Sequence, residues 1–164
     1  MDNRVPKSPI EFDESLRNHR FISIDIEGDP FAKQRPRASR KGRFITVYTP
    51  RETKNYEKKV RTKYVSMYKD FQLTGDLTAK IEGIFKVPDS ASKKKQQEMI
   101  DGIIPHTKKP DCDNIGKICL DALNGTAYED DSTINTLIIS KKYGENPMAK
   151  ITIIENKFII EEKD

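Results

Sequence analysis

The chain has 164 residues, 35% of them hydrophobic, and a formal net charge of +4, which is enough apolar content for one modest core but not for two. Its apolar runs are only a few residues long, far short of the roughly 20 that a membrane-spanning helix needs. The N-terminus mixes charges and prolines and lacks the apolar segment of a secretory signal, so we expect a cytoplasmic protein with no membrane partner.

The first half of the chain predicts an irregular arm followed by two strands and a helix. Residues 1–20 show no periodicity and form the predicted arm, so that residues 21–164 are the predicted domain. Residues 21–28 alternate isoleucines with polar residues, as a half-buried strand does, and residues 44–48 predict a second strand. Thr49-Pro50-Arg51-Glu52 has the form of a capping box with proline at the first helical position. A helix is therefore expected from there to about residue 70.

The second half predicts three strands and two helices. Residues 76–88 alternate as a strand and end at a proline, and residues 90–102 have a serine start and a glycine stop, as a short helix does. Asp113 is the candidate N-cap of another helix, which would end at Asn124-Gly125. Residues 132–144 and 149–160 predict two strands that are antiparallel neighbours. The expected fold is a single α+β domain with a mixed β-sheet of four or five strands and about three helices.

Basic residues are concentrated between residues 33 and 43, where six positive charges occur with no acid. Such a segment attracts polyanions, although a solvated loop is the alternative interpretation. A second basic run occupies residues 93–95. The two cysteines, Cys112 and Cys119, have no CxxC spacing or companion histidine pair, so we expect two reduced thiols.

The acidic residues of the segment 106–131 are the opposite feature. If the chain is extended after Pro110, Asp111 and Asp113 project to the same side, and the loop after the helix is long enough to return an aspartate to them. Three carboxylates without His or Cys favour a hard cation, Mg²⁺ or Mn²⁺. The alternative is a helix cap, a surface charge and a turn with no shared role.

Other catalytic motifs are absent from the sequence. An EF-hand beginning at Asp111 would need oxygen ligands where Ile115 and Ala122 stand, and no glycine-rich loop of the P-loop type occurs, so no nucleotide cofactor is expected. His19 and His106 are interpreted as ordinary surface or hydrogen-bonded histidines.

Residues 108–134 resemble the signature of the RusA family of Holliday junction resolvases. The shared pattern is Asp-x-Asp-Asn-x-x-Lys, then Asp-Ala-Leu, then Asp-Asp. Residues 28–37 and 90–102 resemble the other conserved blocks of that family, so the resemblance extends over most of residues 21–155. It implies a homodimeric, Mg²⁺-dependent endonuclease, commonly encoded by bacteriophages and prophages, that cuts four-way DNA junctions by symmetrical nicks and works in the cytoplasm of a bacterial cell.

The resemblance also implies roles for individual residues. It places metal-binding carboxylates at Asp111, Asp113 and Asp131, with Asp130 as the alternative to its neighbour, and it places a catalytic lysine at Lys117. Asp121 matches the motif but is also positioned to pair with Lys117. The predicted contacts to the DNA backbone are Lys33, Arg35, Arg37, Arg40, Lys41, Arg43, Lys93, Lys94 and Lys95.

Dimerisation and two other functions complete the expectations. The candidate dimer interface is the strand-rich C-terminal portion. One alternative function is a metal-dependent nuclease of branched or single-stranded DNA without junction selectivity. The other is a non-catalytic DNA-binding module of the same fold.

Overall fold

The computed structural model describes residues 19–156. Over this range the chain forms a four-stranded sheet, a separate two-stranded hairpin, three α-helices and one 3₁₀ turn. In chain order the strands and helices are β1 (Phe21–Glu27), β2 (Arg37–Lys41), β3 (Phe44–Tyr48), α1 (Arg51–Tyr68), β4 (Leu77–Lys86), α2 (Lys93–Ile100), α3 (Cys112–Leu123), β5 (Ile134–Gly144) and β6 (Met148–Glu155). The 3₁₀ turn is Asp131–Thr133. The expected single α+β domain with a mixed sheet and three helices is confirmed.

The main sheet has the strand order β1-β6-β4-β5. Strand β6 runs antiparallel to both β1 and β4, whereas β4 and β5 are parallel. The isoleucines that alternate along β1 are all buried, as are Leu77, Ala79 and Ile81 on β4. One face of the sheet is therefore apolar and requires a helical cover.

Helices α1 and α3 supply that cover and also contact each other. Val60 and Tyr64 of α1 and Ile118 of α3 are completely buried in the same cluster as the strand residues. At Gly116 a Cβ atom would clash with the side chain of Ile139 on β5. The absence of a side chain there lets α3 lie close to β5, which fixes the position of the acidic segment relative to the sheet.

Three local predictions are wrong. Helix α1 has Pro50, in extended conformation, at its N-cap position, so the proline lies outside the helix and no side chain caps it. Helix α3 begins at Cys112 with Asp111, not Asp113, at the N-cap, because Pro110 restricts only the residue before it. Strands β5 and β6 are not neighbours, because their short connection crosses the end of β4, which lies between them.

The predicted N-terminal arm lies outside the described residues except for its last two positions. His19 lies 3.1 Å from the carbonyl oxygen of Glu155 through its Nδ1 atom, and Arg20 forms an ion pair of 3.1 Å with the Glu155 carboxylate. The part of the last predicted strand beyond residue 156 also lies outside the described range. Within residues 19–156, no helix is both long and apolar enough to cross a bilayer.

Candidate active site

The N-terminal end of α3 carries the first two acids of the motif. Lys141 on β5 donates hydrogen bonds to the carbonyl oxygens of Lys108 (2.6 Å) and Pro110 (2.8 Å), which ties the segment entering the helix to the sheet. Asp111 occupies the N-cap position, and its Oδ2 atom accepts a hydrogen bond of 2.9 Å from Lys109. Lys109, with a smaller contribution from Lys141, lowers the pKa of Asp111. This carboxylate is therefore exposed and ionised at neutral pH.

Asp113 and Lys117 lie in successive turns of α3, and both are exposed. Asp113 is in the first turn, where the helix dipole favours a negative charge. Residues four apart lie on the same side of a helix, so the acid and the lysine form an exposed polar stripe. The stripe leaves the apolar face, with Ile115 and Ile118, to the core.

Asp121 continues this stripe but is bound to a different lysine from the expected one. Lys33, in the loop after β1, contacts Asp121 at 2.8 Å and also forms an ion pair with Glu57 of α1. Its backbone N–H donates to the carbonyl oxygen of Asn114 (2.9 Å). Burial opposes the charged ammonium, but the hydrogen bonds to Asp121 and Glu57 outweigh it, so the pKa of Lys33 is raised. The possible pairing of Asp121 with Lys117 is not observed.

Lys33, a predicted DNA contact, has internal partners for its charge in this arrangement. Its side chain is only 23% exposed, and its charge is neutralised by two carboxylates inside the protein. A lysine held in this way joins the loop after β1 to two helices, so the structure assigns it to the scaffold of the site.

The loop after α3 is held against the last turn of the helix by Tyr128. The hydroxyl of Tyr128 donates a hydrogen bond to the carbonyl oxygen of Leu120 (2.7 Å), a residue eight positions earlier in the chain. Burial, and then the negative charge of Asp131 and Asp121, raises the pKa of Tyr128. The Asp-Asp pair therefore lies on the same side of the molecule as Asp121.

The two members of the Asp-Asp pair differ in their partners. Asp130 is the N-cap of the 3₁₀ turn, where its Oδ2 atom accepts hydrogen bonds from the backbone N–H of Ser132 (3.4 Å) and from the Ser132 hydroxyl. The Ser132 hydroxyl is the main reason that the pKa of Asp130 is lowered. Asp131 is exposed, and no hydrogen bond or ion pair of its carboxylate occurs among residues 19–156. The side chain of Asp131 is therefore the more available of the two.

The acids are not assembled into one cluster. Among residues 19–156, no three His, Cys, Asp or Glu side chains stand close enough together to hold a metal ion. Asp111 lies beside Lys109 and Lys141, whereas Asp130 and Asp131 lie near Tyr128. The expected convergence of Asp111, Asp113 and Asp131 is thus not present in this arrangement.

The other predicted DNA contacts lie on exposed surfaces. The predicted contacts in the loop and hairpin after Lys33 are all exposed: Arg35, Arg37, Arg40, Lys41 and Arg43. The exposed lysines 93–95 form the first turn of α2, after Ser92 at the N-cap. Both groups are accessible to a polyanion.

Comparison with known proteins identifies the family. The family model described as "Endodeoxyribonuclease RusA" matches residues 27–154, a range that begins at the last residue of β1 and includes the hairpin, all three helices, β4, β5 and β6 up to its penultimate residue. The chain belongs to the RusA family. It is also 32% identical over 136 residues to the uncharacterized protein YqaN of Bacillus subtilis (strain 168), an alignment that covers 82% of this chain and 96% of YqaN.

RusA membership confirms the resemblance seen in the sequence and implies a DNA-cleaving hydrolase that acts on Holliday junctions. The matched range includes the whole acidic motif, from Asp111 to Asp131. The two cysteines are free, as expected, and burial raises the pKa of the Cys119 thiol to about 12. A thiol nucleophile at Cys119 is therefore excluded at neutral pH.

Two residues of this RusA-family site were not singled out from the sequence. Lys141 donates a hydrogen bond to the carbonyl oxygen of Pro110, 31 residues earlier in the chain and just before α3. Glu57 and Asp121 both form ion pairs with Lys33. Neither residue has a local sequence signal, because each acts through a contact between distant elements. His106 is buried and stacked on Phe85, with 4.1 Å between ring centroids, and burial lowers its pKa. Its Nδ1 atom has no hydrogen-bond partner among residues 19–156, so the expectation of a surface or hydrogen-bonded histidine is wrong at this position.

Proposed function

We propose that this RusA-family protein is a Mg²⁺-dependent endonuclease that resolves four-way DNA junctions by symmetrical hydrolysis of two phosphodiester bonds. The observation that carries the proposal is the exposed Asp111, Asp113 and Lys117 at the beginning of α3, within the segment that the family model matches. A helix that presents two carboxylates and a lysine to solvent, with its apolar face buried, is suited to phosphate chemistry rather than to packing.

The donor chemistry fits a hard divalent cation. Asp111, Asp113 and Asp131 would hold the ion, since all three are exposed oxygen donors and the pKa of Asp111 is lowered. Because the three carboxylates are not assembled without the ion, binding would have to bring them together. Asp131 is preferred to Asp130, because the Asp130 carboxylate is occupied by Ser132. When bound, Mg²⁺ would supply positive charge at the scissile phosphate and acidify a water molecule. Mn²⁺ has similar ligand preferences and would substitute for it.

The protein's own side chains would position the phosphate and balance its charge. Lys117 lies one turn beyond Asp113 with an exposed ammonium group, where it would offset the negative charge that develops on the phosphate oxygens during attack. Lys141 would act as a positioning residue, because it holds the carbonyl groups on either side of Lys109 and so fixes the direction of Asp111.

Backbone contacts with DNA would come from the exposed cations of the hairpin and of α2. The three lysines at the start of α2 are unfavourable for the helix itself, because the N-terminal end of a helix dipole is already positive. A phosphate at that position would gain from the dipole, from the free N–H groups and from the lysines together. These contacts would provide affinity with little sequence discrimination.

A homodimer would match the symmetry of a four-way junction, since two equivalent strands require two equivalent sites. The candidate interface is the free edge of β5, which has a strand partner on only one side in the described sheet. Leu137 and Ile138 on this strand are 46% and 49% exposed. Pairing of two β5 edges would cover both residues and continue the sheet. A resolvase of this kind would work in the cytoplasm of a bacterial cell.

A cleavage assay separates this proposal from its alternatives. An immobile four-way junction and a linear duplex of the same arm sequence are incubated with the wild-type protein, with Asp113→Asn, and with Glu129→Gln as a control at an exposed acid of the same segment. We expect paired nicks in the junction alone, abolished by EDTA and by Asp113→Asn but not by Glu129→Gln.

Each alternative predicts a different result. Equal cutting of both substrates would indicate a nuclease without junction selectivity. Tight binding with no cutting under any metal condition would indicate a DNA-binding module. Full activity of Asp113→Asn would refute the assignment of the metal ligands.

A further inference from the structure

The β2–β3 hairpin is exposed along its whole length. Every residue of both strands is exposed, including four large apolar side chains on β3: Phe44 (79%), Ile45 (70%), Val47 (66%) and Tyr48 (45%). Large apolar groups concentrated on an exposed element indicate a surface that another molecule covers.

The register of the hairpin sorts these side chains onto two faces. Cross-strand partners share a face, and successive residues alternate between faces. Lys41 is opposite Phe44, and Arg37 is opposite Tyr48, so both aromatic residues of β3 lie on one face, each beside a cation. Between these two pairs lies the Ser39–Thr46 pair. The other face carries Ile45 and Val47 with Arg40 and Ala38.

The charge of the hairpin identifies the class of molecule that would cover it. Residues 30–51 contain no Asp or Glu, so the surface is complementary to a polyanion. The cores of protein–protein interfaces are enriched in arginine and aromatic residues but depleted in lysine, whereas surfaces that bind unpaired nucleic-acid bases combine aromatic rings with a cationic groove; the Lys41–Phe44 pair and the absence of any acid fit the second kind of surface. The pairing of each aromatic residue with a cation therefore favours nucleic acid over a second protein surface.

We propose that the face formed by Arg37, Lys41, Phe44 and Tyr48 binds the branch point of DNA, with the Phe44 ring stacked on a base that has lost its stacking neighbour there. Lys41 and Phe44 are the last pair before the turn at Gly42, so Phe44 lies at the tip of the hairpin and reaches furthest from the domain. A base inside a duplex is covered on both sides, and exposing it costs a few kcal/mol. A base at a branch point lacks a stacking neighbour on one side, so an aromatic ring can stack on it with a smaller loss of free energy. This contact therefore selects branched DNA.

This inference rests on the proposed junction nuclease and goes beyond it, because it assigns junction selectivity to the hairpin rather than to the acidic site. The chain contains no tryptophan, so Phe44→Trp introduces a single tryptophan, whose emission can be excited selectively, at the hairpin tip. Val47→Trp places the same reporter on the opposite face of the same strand. Both positions are mostly exposed, so neither substitution disturbs the core.

The first measurement is tryptophan fluorescence in EDTA, so that binding is observed without cleavage. Stacking on a base quenches tryptophan emission, so we expect quenching of Phe44→Trp by a four-way junction and much weaker quenching by a linear duplex. Val47→Trp should change little with either DNA. Equal quenching of both variants, or a signal that depends on protein concentration without DNA, would overturn the proposal and indicate groove insertion or self-association.

The second measurement is the dissociation constant of Phe44→Leu, which keeps an apolar side chain but loses the aromatic ring. We expect the affinity for the junction to fall by about 5- to 100-fold, the usual effect of losing one base–aromatic stack, with an unchanged affinity for linear duplex. Val47→Ala is the matched control and should bind both substrates like wild type. If the wild-type protein prefers junctions and Phe44→Leu retains that preference, this inference fails while the proposed function stands. If the wild-type protein shows no preference for junctions, both fail.

Discussion

Replacement of Lys33 by methionine should reduce the free energy of unfolding by about 2 kcal/mol. The substitution removes the ammonium group from between Glu57 and Asp121, whose side chains are 20% and 28% exposed. A hydrogen bond to a charged group contributes about 1.5–3 kcal/mol when it is well shielded, and partial exposure reduces the value for each of the two bonds here. The two carboxylates would also be left facing each other without a cation. For a chain of this length, 2 kcal/mol corresponds to a decrease in Tm of about 4–8 °C.

The assay is thermal and urea unfolding followed by circular dichroism, with Lys86→Met as the control. Lys86 also forms an ion pair, with Asp89 at 3.0 Å, but the two side chains are 58% and 86% exposed, so its loss should change the free energy of unfolding by less than about 0.5 kcal/mol. If Lys33→Met were as stable as the control variant, the ion pairs at Lys33 would not hold the loop to the two helices, and the scaffold role assigned to this residue would be wrong.

The pH dependence provides a second check on the same prediction. The folded-state pKa of Lys33 is raised above its ordinary value of 10.5, so its contribution to stability is fully present below that pH. The contribution is lost as the pH rises through the folded-state pKa. The difference in stability between wild type and Lys33→Met should therefore be constant from neutral pH to about pH 10 and should decrease above it.

Three further predictions concern other parts of the site. Lys141→Met should lower the cleavage rate by at least about tenfold, because a small displacement of Asp111 is costly in catalysis, while the affinity for DNA in EDTA stays within about twofold of wild type; a rate equal to wild type would contradict its positioning role. Asp131→Asn should abolish cleavage, whereas Asp130→Asn should leave the cleavage rate close to wild type, because asparagine keeps the side-chain oxygen that caps the 3₁₀ turn; loss of cleavage in Asp130→Asn with an active Asp131→Asn would show that Asp130 is the metal ligand. Alkylation with iodoacetamide should leave Cys119 unmodified in the native protein, because burial raises the pKa of its thiol to about 12, and should modify it after denaturation; rapid modification of the native protein, measured by peptide mass spectrometry, would show that α3 opens readily.

Elements defined by local patterns could be predicted from the sequence. The alternating isoleucines of β1 and the serine and glycine that delimit α2 are short-range signals, and the structure has a strand and a helix at those positions. Gly125, with a φ of 70°, follows the end of α3 as its sequence indicated. These signals are reliable because side-chain periodicity and backbone freedom depend on neighbouring residues alone.

The wrong and missing predictions concern contacts between distant elements. Spacing suggested that Asp121 was available to Lys117, but folding brings Lys33 to Asp121 and Glu57 instead. Likewise, a short connection made β5 and β6 look like neighbours, although β4 separates them. No local pattern in the sequence encodes the partner of a lysine or the order of strands in a sheet.

The distribution of lysines explains how a single segment tolerates so many acids. Asp111 is neutralised by Lys109, with Lys141 nearby, and Asp121 is neutralised by Lys33. Asp130 is stabilised by the hydroxyl and backbone of its own turn. Because each of these acids has a separate stabilising partner, their mutual repulsion is reduced without a shared ion. Asp113 and Asp131 form no ion pair within residues 19–156, so they are the acids with most to gain from a divalent cation, and their substitution should affect metal binding more than folding.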